Sequence, residues 1–149
     1  MSKNREILVT PTITAGLYDA GDAVGGLLTF AQAASVYKGD GEVVKVVVID
    51  DGKQNAELDL WLFSETFTAM ADHAAWAPSD ADNQHCIGHI TILATDYSDG
   101  ADNSVATKEC SFEFTLVDAG SSLFGQLATP DTPTYTAVDD LTIKVTVNR

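Results

Sequence analysis

The residues best suited to chemistry lie close together between positions 82 and 89, in the run DNQHCIGH. His85 and His89 are four residues apart, a spacing that would place both imidazoles on one face of a helix, with Cys86 beside them. Imidazole and thiolate are the ligands that zinc prefers. However, Gly88 indicates that a helix ends before His89, and no second ligand pair with a recognisable spacing occurs elsewhere. We therefore expect no metal here, with His85 at the end of a helix and His89 at the start of a strand.

A second candidate is the acidic segment at residues 96–103, DYSDGADN, whose composition is similar to that of a calcium loop. A hard cation would take oxygen ligands from Asp96, Asp99, Asp102 and Asn103. The spacing differs from that of an EF-hand, which needs alternating Asp residues before the Gly and a Glu six residues after it. Since Asp and Asn are also the commonest turn residues, the segment is better interpreted as a turn.

Motifs for catalysis are missing from the sequence. It contains no G-x-S-x-G elbow, no H-E-x-x-H, no phosphate loop and no dinucleotide fingerprint. Carboxylates are so frequent that no pair stands out as a glycosidase couple. Trp61 and Trp76 would suit a platform for stacking sugars, although burial or a subunit interface is the commoner fate of such rings. The sequence predicts no enzyme and no cofactor.

Composition narrows the remaining classes of protein and of binding partner. The 149 residues include 45% hydrophobic residues, which indicates one globular domain spanning 1–149. The 22 acidic against 8 basic residues give a net charge of −14, which argues against nucleic-acid partners and anionic membrane surfaces. No apolar run approaches the ~18 residues of a membrane helix, and the N-terminus lacks the apolar core of a secretory signal. We expect synthesis in the cytoplasm, where Cys86 and Cys110 would remain free thiols.

The most strand-like part of the chain is residues 42–63. Residues 42–50 are almost all β-branched, and strict alternation divides them into two apolar faces. One face would carry Val44, Val46 and Val48, and the other Val43, Val47 and Ile49. A strand that is apolar on both faces is covered on both sides or lies at a subunit contact.

The second half of this stretch, residues 57–63, has the period of two that is typical of a half-buried strand. Leu58, Leu60 and Leu62 would face the core, while Glu57, Asp59 and Trp61 would face outward. The intervening Asp50-Asp51-Gly52 has turn chemistry, because Gly adopts positive φ freely and Asp bonds to its own backbone. We predict a central hairpin, and a subunit contact at Val44, Val46, Val48 and Trp61.

Further strands are indicated at residues 6–14, 27–30, 87–94, 110–117, 123–129 and 141–148, with one short helix of about two turns capped by Ser79. Eight strands favour an all-β, jelly-roll-like antiparallel β-sandwich. An immunoglobulin-like sandwich is the nearest alternative, but the order of the Trp and Cys residues does not fit its core.

Five stretches in order along the chain carry a resemblance to a known family: PTITAGLYDAGDAVGGLLTFAQAA, KQNAELDLWLF, APSDADNQHCIG, ADNSVATK and FGQLATPDTPTYTAVDDLTIKVTV. They resemble small virion structural proteins of tailed bacteriophages, some of which are capsid cement, or decoration, proteins. The resemblance implies a jelly-roll domain, often dimeric, that binds the major capsid protein on the outside of the icosahedral head and stabilises it. It implies no catalytic residues.

Three functions therefore remain open at this point. The first is a capsid cement protein, for which the predicted contact residues would meet a second subunit or the capsid. The second is a host-adsorption module that binds glycans through aromatic rings and acidic loops. The third is a structural module of the neck or tail.

Overall fold

The computed structural model describes residues 4–36, 38–116 and 121–149. In this part of the chain nine strands form a two-layer sandwich, with one single-turn α-helix and one short 3-10 helix (Ala94–Asp96) in the connections. The strands are β1 (Asn4–Val9), β2 (Ala23–Phe30), β3 (Asp40–Asp50), β4 (Leu58–Phe63), β5 (Cys86–Ile92), β6 (Tyr97–Asp99), β7 (Ser104–Thr115), β8 (Leu123–Ala128) and β9 (Leu141–Asn148), and the helix is α1 (Asp80–Asn83). Across the described ranges, no helix is long and apolar enough to cross a membrane.

The two antiparallel sheets have the strand order of a jelly roll. The five-stranded sheet has the order β1-β9-β3-β7-β6, and the four-stranded sheet has the order β2-β8-β4-β5. Successive long strands cross from one sheet to the other, apart from β4 and β5, which pair directly. The short β6 is an addition at the edge next to β7. This arrangement confirms the predicted fold class.

The core lies between the sheets and follows the alternation of the sequence. On β9 all four alternate apolar residues are fully buried: Leu141, Ile143, Val145 and Val147. On β4 the three leucines are buried in the same way, while Asp59 and Trp61 lie on the outer side and are half-buried. These two strands confirm the period-of-two interpretation.

Strand β3 departs from strict alternation because its register with both neighbours shifts between Val43 and Lys45. Such a shift is a bulge, which changes the face that later residues point to. Val43 therefore faces the core together with Val46 and Val48, whereas Val44 lies at the bulge and is half-buried. The predicted grouping of Val44 with Val46 and Val48 was wrong.

The predicted central hairpin was also wrong, because β3 and β4 lie in different sheets and do not pair. The reason is the carboxylate of Asp50, which is fully buried and accepts hydrogen bonds from the backbone N–H groups of Gly52 (2.9 Å), Gln54 (2.8 Å) and Asn55 (3.1 Å). The connection wraps around this side chain, with Lys53 and Asn55 at positive φ, and carries the chain from one sheet to the other.

Smaller differences concern the limits of elements. Strand β1 ends at Val9, before Pro11, whose ring would remove a donor from the ladder. Strand β7 begins at Ser104, so part of the acidic segment 96–103 belongs to the β6–β7 hairpin, while predicted residue Val117 lies outside the described ranges.

The predicted helix forms a single turn rather than two. The Oγ of Ser79 accepts the N–H of Asp82 at 3.1 Å, which confirms the predicted cap. The helix ends well before Gly88, because β5 already begins at Cys86. Cys86 and Cys110 are both free, as predicted.

Candidate functional site

The four predicted contact residues do not share one surface. Val46 and Val48 are fully buried between the sheets, where they contact the core and are not available to a partner. Val44 lies at the bulge of β3, in the five-stranded sheet. Trp61 lies on the outer side of β4, in the four-stranded sheet. A continuous contact through all four residues is therefore ruled out, since β3 and β4 belong to opposite layers.

The outer side of the four-stranded sheet is covered by residues 64–79, which we call the strap. Its aromatic rings pack on those of β4: Phe67 stacks on Phe63 with ring centroids 4.0 Å apart, and Trp76 lies 5.5 Å from Trp61. This covering explains why Phe63 is fully buried although it follows Leu62, which points into the core. The indoles that suggested a sugar platform contact each other and the strap.

Polar side chains fasten the strap to the sheet at two points. The first is Gln126 of β8, which is fully buried: its Nε2 donates to the carbonyls of Met70 (2.7 Å) and Gly25 (2.9 Å), and its Oε1 accepts the N–H of Met70 (2.9 Å). Every hydrogen-bonding position of this amide except one acceptor site is thus used. The Gln126 side chain and the Met70 backbone thus each donate one hydrogen bond to the other.

The second point is the carboxylate of Asp72. It accepts hydrogen bonds from Thr14 Oγ1 (2.5 Å), Tyr18 OH (2.6 Å) and Gly25 N (2.7 Å). Burial acts to raise the pKa of Asp72, but these three donors outweigh it and hold the pKa below its ordinary value. Burial and the bond to Asp72 raise the pKa of Tyr18 to about 12, and the ring stacks on His73 at 4.1 Å.

The outer side of the five-stranded sheet, which we call the open face, has no covering segment within the described ranges. Its central strand β3 presents Val47 and Ile49, both half-buried. Ile49 pairs with Val105 of β7, which is 38% exposed, and Leu8 on β1 is 56% exposed. The sequence interpretation missed Leu8 and Val105. The alternation of Val105 and Thr107 with Ser104 and Ala106 would have extended β7 and indicated Val105.

Acidic side chains concentrate at one end of the sandwich. Four connections meet there: residues 10–22, 51–57, 93–103 and 129–140. Together they hold ten of the 22 acidic residues and a single basic residue, Lys53. We call this region the acidic end. Its loops bond to one another, as Lys53 Nζ donates to the carbonyl of Gly100 (3.0 Å).

Beneath the acidic end, several polar groups are buried among the core strands. Burial raises the pKa of the Asp50 carboxyl, although the three N–H groups of its own loop oppose this shift. Ser104 lies directly opposite Asp50 in the sheet register and is also fully buried. Burial and the charge of Asp50 raise the pKa values of Tyr97 and Tyr135 well above the ordinary range. The carboxylate of Asp50 bonds its own loop, whereas the hydroxyls of Tyr97, Ser104 and Tyr135 are buried without a hydrogen-bond partner among the described residues.

Strand β5 begins within the HCIGH run, so that His85 precedes the strand while Cys86 and His89 belong to it. His85 lies 3.4 Å from Glu65 in an exposed ion pair, whereas His89 stacks on Trp61 at 4.5 Å. The thiol of Cys86 points to the carbonyl of Gly88 at 3.7 Å. The two imidazoles thus contact different partners.

The acidic segment 96–103 is likewise bonded to protein groups. Asp96 accepts from Leu93 N (2.8 Å) and from Lys108 Nζ (3.0 Å), and these donors lower its pKa. Asp99 accepts from the amide of Asn55 at 2.7 Å. Over the described residues, no three His, Cys, Asp or Glu side chains lie close enough together to hold a metal ion.

A surface depression of about 560 Å³ lies at the opposite end from these loops. It is lined by Asp40, Gly41, Glu42, Glu113, Phe114, Thr115, Asn148 and Arg149. Ser111 donates to Glu42 there at 2.7 Å. The carboxylates of this lining lie with the guanidinium of Arg149, and no histidine or cysteine of the described ranges lines the depression.

No protein-family model matches this sequence, and no curated protein matches it. Solved structures of similar form include the vertex protein P5 of PRD1, with 10% identity over 98% of this chain and 95% of that one and a TM-score of 0.44. A structure of tomato aspermy virus has 12% identity over 99% and 76% of the two chains and a TM-score of 0.41. The C-terminal CBM6 of LamC, a marine laminarinase from Zobellia galactanivorans, has 10% identity over 99% and 100% and a TM-score of 0.40. Since virus structures and a carbohydrate-binding module are similar to this chain to the same low degree, these values do not distinguish functions.

Proposed function

We propose that this chain is a structural protein of a virion, and specifically a capsid cement protein that binds the outside of the head. The choice of a virion is supported by the resemblance of five stretches of the sequence to small structural proteins of tailed bacteriophages. The observation that carries the proposal is the asymmetry of the sandwich. One outer face is closed by the strap, whereas the open face presents β-branched and leucine side chains to solvent.

The physical properties of the chain suit this role. A cement protein needs a rigid domain that stays soluble until it reaches the shell and that does not compete for the packaged DNA. A net charge of −14 favours both, because it keeps copies apart and repels phosphates. The partner is the major capsid protein, the location is the capsid surface, and the protein has no catalytic role.

The experiment compares particles assembled with and without this protein. Binding that favours the assembled state raises the stability of the assembly by linkage. Particles without the protein are therefore expected to release DNA at a lower temperature, and purified protein added back is expected to restore the difference and saturate at a fixed ratio to the major capsid protein.

Two results would contradict the proposal. Equal stability combined with a loss of adsorption to cells would identify a host-adsorption module instead. A copy number of about a dozen or fewer per particle, measured by quantitative gel, would identify a neck or tail component rather than a shell component.

A further inference from the structure

The open face holds an apolar patch formed by Val47, Ile49 and Val105 at its centre and by Leu8 two strands away. Ile49 pairs directly with Val105, and Val47 lies beside Lys144, whose other neighbour is Leu8. Val47 points away from the core, because its neighbours Val46 and Val48 are fully buried. The sheet register places the other three side chains on the same outer side. The four residues therefore lie on β1, β3 and β7, and Lys144 and Thr142 of β9 lie between Leu8 and the other three.

Charged side chains border this patch, and most of them are acidic. Lys144 lies 3.6 Å from Glu6, and Lys45 is directly opposite Glu109. These pairs place two lysines on the face against four glutamates, because Glu42 and Glu113 continue the same face without a lysine opposite them. The acidic end begins beyond Ile49. The open face is therefore bordered by negative charge at both ends of its strands.

The dimensions of the open face fit one side of an ordinary interface between different proteins. Five strands about 4.8 Å apart, with a mean length of about 27 Å, give roughly 600 Å² of sheet surface. Standard interfaces bury about 800 Å² on each partner, with an apolar centre and a polar rim. Obligate homodimers bury larger and more apolar surfaces. Two copies of this face would also bring like charges together, which costs binding energy.

We propose that the open face docks onto a surface of a different protein that has a small apolar centre surrounded by lysine and arginine. This inference rests on the proposed function, for which that surface lies on the capsid shell. The apolar patch contributes the desolvated centre of the contact, and Glu6, Glu42, Glu109 and Glu113 supply the charge complementarity. The strap and its aromatic rings face away from the shell.

The test measures co-sedimentation of purified variants with shells that lack this protein. Val47→Glu places a charge in the centre of the patch, and Glu109→Lys reverses a charge on its rim. Each is expected to weaken binding at least about tenfold, the scale of a lost interface anchor. Glu109→Lys should also reduce the dependence of binding on salt. Matched controls are Leu27→Glu, an exposed apolar residue on β2, and Glu65→Lys on the strap, and both should bind like the wild type.

Thermal melting of each variant verifies that it is folded. If Val47→Glu is unfolded, Thr107→Glu takes its place, because Thr107 pairs with Val47 and is already exposed. Binding by folded Val47→Glu or Thr107→Glu equal to that of wild type would overturn the assignment of this face while leaving the cement function in place. A wild-type dimer in light scattering that Val47→Glu dissociates would show instead that the face binds a second copy. Failure of the wild type to bind shells at all would remove the proposed function and this inference together.

Discussion

At the scale of single residues, Asp72 and Asp50 show how environment separates two carboxyls of the same type. Asp72 receives two hydroxyl donors and one N–H, and its pKa is lowered despite burial. Asp50 receives only backbone N–H groups and lies deeper, and its pKa is raised because burial dominates. Both side chains bind loops to the sandwich. Ionisation of Asp72 stabilises the fold, whereas ionisation of Asp50 destabilises it, because their pKa values are shifted in opposite directions.

The lowered pKa of Asp72 predicts a pH-dependent contribution to stability. A folded-state pKa below the unfolded value of about 3.9 stabilises the fold above that pH, and the stabilisation is lost as the pH falls through the folded pKa. Asp72→Asn is therefore expected to lose about 1–3 kcal/mol at pH 7, the scale of a disrupted hydrogen bond to a charged group. The gap to wild type should close below about pH 4. Urea unfolding at several pH values measures this, with exposed Asp102→Asn as the control. A gap that stays constant down to pH 3 would contradict the assignment.

A second residue-scale prediction concerns Cys110. Burial and the nearby charge of Glu42 raise the pKa of its thiol to about 11. Since the thiolate is the nucleophile, alkylation of Cys110 in the folded protein at pH 8 should be slow. Iodoacetamide labelling followed by peptide mass spectrometry is expected to modify Cys110 only after denaturation, at which point Cys86 is modified as well. Rapid labelling of native Cys110 would show that β7 is open at this position.

At the scale of elements, the position of the β3 bulge decides which valines are available to a partner. Val46→Asp places a carboxylate in the core and is expected to cost more than about 4 kcal/mol or to prevent folding. Val44→Asp, at the bulge, and Val47→Asp, on the open face, should each cost far less. Chemical unfolding of the three variants checks the order. If Val44→Asp were as damaging as Val46→Asp, β3 would have the strict alternation that the sequence suggests.

The elements also show how far the sequence alone could lead. Strands β4 and β9 were predictable because each has one apolar and one polar face, which fixes the direction of every side chain. Strand β3 was predicted as a strand, but the facing of its side chains was not predictable, because valines occupy both faces and a bulge leaves no trace in such a pattern. The sequence also could not distinguish a hairpin from a crossing between sheets, since Asp50-Asp51-Gly52 has turn chemistry in either case. That choice depends on the burial of Asp50, which is a tertiary property.

The candidate surfaces were harder to predict than the strands. The strap has no periodic pattern, and its aromatic residues acquire a role only when the four-stranded sheet provides a face for them to cover. The open face consists of residues from β1, β3, β7 and β9, which are distant in sequence and become neighbours through jelly-roll pairing. Alternation identifies Val47 and Ile49 as one face of β3, but it does not show that this face is the outer one.

At the scale of the whole molecule, charge is distributed unevenly. The acidic end holds ten carboxyl side chains and one lysine, whereas the strap holds two carboxyl side chains, those of Glu65 and Asp72. Like charges that lie within a Debye length of one another, about 8–10 Å at moderate salt, repel and lower the stability of the folded state. The fold tolerates this cost because loop contacts such as Lys53 to Gly100 and Asn55 to Asp99 hold the acidic end together.

This distribution predicts that stability depends on salt and on where a charge is changed. Raising NaCl from about 0.02 to 0.5 M should raise the melting temperature, because screening weakens repulsion at the acidic end. Asp102→Lys, in the β6–β7 turn, should raise it at low salt by about 1–3 °C, as expected for up to about 1 kcal/mol in a chain of this size. Glu65→Lys makes the same change of charge outside the acidic end and removes a contact with His85, so it should give no increase. Calorimetry at both salt concentrations measures these shifts. Equal shifts in melting temperature for the two substitutions would show that only the net charge of the protein matters. If salt raises the melting temperature of Asp102→Lys less than that of Glu65→Lys, the repulsion lies in the loops of the acidic end.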